Sequence, residues 1–175
     1  MLKLILLAAI VGIAALLAFA ATRPNSFKYQ RSIVIHAPPE KVFAKIDNFH
    51  AWADWSPYEK LDPGMARTYS GPESGVGAAY GWESKGKAGV GSMDITAVKP
   101  ASRIVIRLVF TKPFAAHNTA TFELTPEADG TRVTWAMEGA NPFMAKLMGL
   151  VFNMDKMVGA DFETGLASLK ALCEA

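Results

Sequence analysis

Residues 38–62 read PPEKVFAKIDNFHAWADWSPYEKLD, and the fold turns on how this stretch is parsed. Pro38-Pro39-Glu40 suits a helix start, because proline gives up no needed donor there and an early acid favours the positive end of the helix dipole. Val42, Phe43, Ile46 and Phe49 follow at helical spacing. A second, shorter helical turn then leads into a loop that carries Trp52, Trp55 and Tyr58 around Ser56-Pro57. Nothing in the stretch is laid out as a catalytic apparatus. Its three large aromatic side chains read as one end of a hydrophobic container.

Upstream, Tyr29, Ile33 and Ile35 alternate with Gln30, Ser32, Val34 and His36, which predicts a half-buried strand. Downstream, strands are expected at 65–69, 77–83, 89–99, 103–110, 117–125 and 131–138. They are punctuated by Ser70-Gly71-Pro72, by a hairpin turn at Ser84-Lys85-Gly86-Lys87, by Pro100-Ala101-Ser102, by Lys112-Pro113 and by Asp129-Gly130. Ile104, Ile106, Leu108 and Phe110 share one face, opposite Arg103 and Arg107. Val133, Trp135 and Met137 likewise oppose Arg132, Thr134 and Glu138. Such alternation belongs to an antiparallel sheet with one wet face. The order lacks the strand–helix–strand alternation of a parallel nucleotide-binding sheet. After Gly139 the period lengthens, and Phe143, Leu147, Val151, Met154, Val158, Phe162, Leu166, Leu169 and Cys173 predict one long amphipathic helix, bent near Gly149 or Gly159, with Asn141-Pro142 as its cap and first position. The expected fold is α+β, a curved antiparallel sheet of about seven strands wrapped around the C-terminal helix.

Residues 4–21 are uncharged and mostly apolar. As a helix they would span roughly 27 Å, against a bilayer core of about 30 Å. Two readings fit: a retained membrane anchor between Lys3 and Arg23-Pro24, or a cleaved signal peptide with Ala18-Phe19-Ala20 as its small-residue cleavage site. Lys3 and the amino terminus compete with Arg23, Lys28 and Arg31 beyond the span, so the charge count does not set the orientation. The signal-like layout points to export, which in a bacterium means the periplasm. The chain thus divides into residues 1–22, anchor or signal, and 23–175, one folded domain. Its net charge of +2, or +1 with Lys3 set aside, gives no reason to expect a nucleic-acid partner. The single cysteine, Cys173, rules out an internal disulfide and a cysteine-cluster metal site.

The order of elements, taken with Val42-Phe43, Trp52-Ala53-Asp54-Trp55-Ser56-Pro57, Gly75-Val76-Gly77 before Tyr80-Gly81-Trp82, Gly130-Thr131-Arg132-Val133-Thr134-Trp135 and the closing run from Asp161 to Lys170, resembles the START-like, helix-grip superfamily, in its polyketide cyclase/dehydrase and lipid-transport (SRPBCC) branch. The resemblance covers residues 27–173. It implies a helix-grip fold with a ligand-binding domain at 23–175. It says little about activity, since members include carriers, cyclases and receptors.

Strand parity turns Tyr80, Trp82, Met93, Ile95, Phe110, Trp135 and Met137 inward, and Phe143, Met154 and Met157 face them from the last helix or its rim. Pattern alone favours a filled core for such residues. The resemblance implies instead an open cavity, with Trp55 among its lining residues and Trp52 and Tyr58 at its mouth. Methionine gives a soft, adaptable lining. Neither His36, His50 and His117 nor any acid has metal-ligand spacing, so no metal and no cofactor is expected. Asp47, Asp54, Glu59 and Asp62 crowd the loop, yet none stands out as a catalytic base. The expectation is a monomeric, membrane-tethered protein, held through residues 4–21, that binds a lipid-like or other hydrophobic small molecule. The alternatives are a cyclase- or dehydratase-like enzyme using the same cavity, and an interaction module with a filled core.

Overall fold

The computed structural model describes residues 1–86 and 88–175. The element order is α1 (Leu2–Ala21), β1 (Ser26–Ile35), α2 (Pro39–Ile46), a 3₁₀ turn (Phe49–Ala51), α3 (Trp52–Trp55), a second 3₁₀ turn (Pro57–Lys60), β2 (Ala66–Ser70), β3 (Ala79–Glu83), β4 (Val90–Lys99), β5 (Arg103–Lys112), β6 (Ala116–Glu127), β7 (Gly130–Ala140), α4 (Phe143–Val151) and α5 (Met154–Glu174). The seven strands form one antiparallel sheet in the order β1-β7-β6-β5-β4-β3-β2. All seven expected strands are present. The turn expected at 84–87 includes Lys87, which lies outside the described residues.

The C-terminal region departs from expectation. Two helices replace the single long one, and the break falls at Phe152-Asn153 rather than at a glycine. Phe152 takes an extended conformation, and the Asn153 side chain accepts from the Lys156 N–H, which starts α5 afresh. Pro142 occupies the N-cap of α4, and Asn141 instead ties the chain to Pro24 and Asn25.

Helix α5 runs along β1. Arg31, inward on β1, donates to Asp155 at 3.1 Å and to Glu163 at 2.8 Å, while further along the Lys170 ammonium donates to the Val34 carbonyl at 2.7 Å. The His36 N–H donates to Glu174 at 2.7 Å. Mid-helix contact is close: a Cβ on Gly165 would sit 2.8 Å from Pro57 and 2.9 Å from Trp135, so only glycine lets α5 approach there.

The sheet's inner face is sealed at the end away from α1. Ile35, Ile104, Ile106, Phe122 and Val133 are wholly buried there. The seal is aromatic: Trp135 stacks on Phe162 with centroids 4.2 Å apart and on Phe122 at 4.9 Å, and Trp52 and Trp55 meet the same group edge-on. The last carbonyls of α2 have no partners within the helix, and two indoles supply them. Trp52 Nε1 donates to Ile46 at 2.9 Å, and Trp55 Nε1 donates to Lys45 at 3.0 Å.

Among the described residues, Trp135 Nε1 is the one buried side-chain donor left without a partner. Leaving such a group unpaired costs about 1–3 kcal/mol. Trp135→Phe relieves that cost while losing indole area. Trp55→Phe loses similar area and also strands the Lys45 carbonyl. Urea denaturation should therefore show Trp135→Phe less destabilised than Trp55→Phe, by roughly 2 kcal/mol. Equal losses, or the reverse order, would refute the assignment.

Arg31 holds the Asp155 carboxyl below its ordinary range, and Lys170 with the His36 N–H does the same for Glu174. Carboxylates with depressed folded values contribute stability above their unfolded pKa and lose it as pH falls through the folded one. Melting temperature should accordingly drop below about pH 4. Arg31→Met should lower it at neutral pH while making the acid drop shallower; an acid drop as steep as in the parent would sink this account.

Candidate functional site

The two ends of the inner face differ. Where the sheet meets α1 and α4, Phe27, Tyr29, Trp82, Leu108, Phe110, Asn118 and Met137 are only partly buried. Register places these in adjoining rows: Trp82 opposite Gly91, Gly91 opposite Phe110, Leu108 opposite Asn118, and Tyr29 opposite Met137. Because α5 lies over β1 and the 49–60 segment plugs the other end, this part of the sheet is a half-open apolar trough.

Trp82 forms one wall. Its Nε1 donates to the Ala88 carbonyl at 3.0 Å, and the ring packs on Tyr80 and Phe110. The indole lies directly over Gly91, where a Cβ would come within 2.4 Å of the ring. Glycine there lets the tryptophan lie flat across β4. Asn118, whose side-chain amide is 4.0 Å from Met137 Sδ, is the one polar side chain among the trough residues on β3–β7. Pockets for small molecules commonly combine an apolar wall with a few placed polar groups.

The residues singled out from sequence are distributed unevenly. Trp82, Phe110 and Met137 lie in the trough, and Met93, Tyr80 and Ile95 are buried in neighbouring rows. Phe143, Met154 and Met157 lie on α4 and the start of α5, and Phe143 and Met157 are exposed. Trp55 and Trp135 line no opening: both are packed inside the aromatic plug. Trp52, expected at a mouth, is also in the core, because the carbonyl at the end of α2 draws its N–H inward. Tyr58 is half-buried against Trp135, and burial raises its phenol pKa, aided by Asp161. Asn118, Leu108 and Tyr29 were missed as site residues, although the parity of Ala120, Phe122 and Leu124 already turns Asn118 inward.

One buried polar group also escaped notice. Glu59, on the second 3₁₀ turn, accepts from Tyr80 Oη at 2.5 Å and from Arg67 Nε at 2.7 Å. Burial, then the Glu59 bond, raises the Tyr80 phenol, so it stays protonated and donates. Both carboxylate oxygens are engaged, and the group fastens the turn to β2 and β3. Next to it a hollow of about 260 Å³ lies among Phe49, His50, Tyr69, Glu73 and Ala78, with His50 stacked on Tyr69 at 3.9 Å. A shallower one of about 90 Å³ sits on the polar outer face of the sheet. Neither is beneath α5.

Solved structures share this arrangement. Protein CV1439 from Chromobacterium violaceum superposes with a TM-score of 0.61 at 20% identity, over 87% of this chain and 99% of that one. The di-domain ARO/CYC BexL, from the BE-7585A biosynthetic pathway, gives 0.64 at 16% identity, over 90% of this chain and 53% of BexL. Ara h 8.0201 gives 0.56 at 12% identity, over 85% and 97%. At these identities the likeness is one of fold. No curated protein matches the chain. The family model described as polyketide cyclase/dehydrase and lipid transport matches residues 26–174, from the first residue of β1 to the last of α5, and the chain belongs to that family.

Proposed function

We propose that this protein binds a lipid-like or other hydrophobic small molecule in the trough between Trp82, Phe110, Met137 and the start of α5, while α1 tethers it to a membrane with the domain on the exported side. The observation that carries the reading is the contrast along the inner face, sealed by aromatics at one end and left apolar and uncovered at the other. Family membership supports it, since the family's description joins lipid transport to cyclase chemistry. Helix α1 has the length and composition of a membrane span, with a mean hydropathy of 2.9. Each 100 Å² of ligand apolar surface taken from water contributes roughly 2.5 kcal/mol before ordering costs.

Binding is favoured over a cyclase-like reaction by the trough itself. Its one polar side chain on β3–β7 is an amide, which does not titrate. The nearby Glu59 and Tyr80 are closed on one another and on Arg67.

Solvent extraction and mass spectrometry of the purified full-length chain test the reading. An apolar compound retained at fixed stoichiometry should fall about tenfold or more, the factor equal to 1.4 kcal/mol, in Met137→Arg and Phe110→Arg. Ser92→Arg, on the outer face, should keep it. Equal retention in all three variants would place the site elsewhere.

A further inference from the structure

Helix α4 has its polarity reversed relative to a helix that faces water. Its one charged residue, Lys146, points inward, is 8% exposed, and donates to Asn25 Oδ1 at 2.6 Å. Met144, Met148 and Val151, spaced four and three apart and thus on one face, are 69%, 49% and 78% exposed. Phe152 extends the same apolar surface. Contiguous exposed apolar surface of this kind marks an interaction site.

The position of α4 indicates its occupant. Ala20 is the one residue of α1 that is buried, and α4 packs on that end of α1, braced by Asn141 on the Pro24 carbonyl and Lys146 on Asn25. Packed helices lie about 8–10 Å apart, so α4 is at the level where residues 4–21 end. Phe114, 81% exposed at the tip of the β5–β6 hairpin, belongs to the same end of the sheet, because Phe110 pairs with Ala116 while Ser26 pairs with Ala140. Three strand spacings separate β1 from β5, roughly 14 Å. The trough opens at this end as well.

We infer that α4 and the Phe114 hairpin tip form a lipid-facing surface, with α4 lying in the headgroup–acyl boundary beside α1 and the trough opening onto the bilayer. This rests on the reading of α1 as a retained span. Short helices with one apolar face bind in that boundary. An apolar ligand would then pass between bilayer and trough without crossing water.

The test uses the full-length chain in phosphatidylcholine–phosphatidylglycerol nanodiscs, in a Cys173→Ser background, with nitroxide labels on single cysteines replacing Met148, Ile10 or Lys99. Collision with oxygen reports lipid, and collision with a water-soluble nickel chelate reports solvent. Labels at Met148 and Ile10 should both favour oxygen several-fold over the label at Lys99, which lies at the sealed end of the sheet. If Ile10 favours oxygen and Met148 behaves like Lys99, the span stands and the docking surface is refuted. If Ile10 also favours the chelate, or intact mass shows residues 1–22 removed, the tether itself falls and the inference with it. Spin–spin broadening at Met148 without an oxygen preference would assign the face to a second copy of the chain and overturn the proposal.

Discussion

The interaction on which the rest of the structure depends is the pair of bonds from the Trp52 and Trp55 indoles to the last carbonyls of α2. A helix that ends inside a protein must find partners for those carbonyls. Here the donors are two of the bulkiest side chains available, so satisfying α2 also carries the rings onto Phe122 and Trp135. One end of the sheet is thereby filled. The apolar surface left over is at the opposite end, where β1 begins and β7 finishes. The position of the trough follows from how one short helix is terminated.

Much of this was legible in the sequence, and the exceptions have physical causes. Strand number and facing were readable because one side of the sheet is wet, which forces a period of two on Ile104, Ile106, Leu108 and Phe110. The same rule turns Arg31 inward between Tyr29 and Ile33. Where a tryptophan goes was not readable, because an indole suits both a rim and a core. The acceptors that decide it for Trp52 come from a neighbouring helix whose end is fixed only by folding. The break at Phe152-Asn153 was hidden because apolar residues keep nearly the same spacing on both sides of it. Glu59 gave no signal, since the Arg67 and Tyr80 that accompany it arrive from two different strands.

The family fold is compatible with many activities, so what distinguishes a member is how its interior is filled. In this chain three indoles and two phenyl rings occupy roughly half of the inner face. The remaining surface is walled by Trp82 lying flat over Gly91. A ligand held there would be bounded at its inner end by a rigid aromatic floor. Selection would then act on ligand length more than on headgroup chemistry.

The contacts that hold α5 along β1 have one more outcome. β1 is a ten-residue strand at the margin of the sheet, and a free margin of that length is an invitation to another chain's backbone. Its Gln30 and Val34 carbonyls are already taken by the Arg31 guanidinium and the Lys170 ammonium. The opposite margin, β2, is only five residues long. Cationic side chains thus occupy acceptors that an incoming strand would need, and the molecule resists amyloid-like stacking through the same residues that seat its final helix.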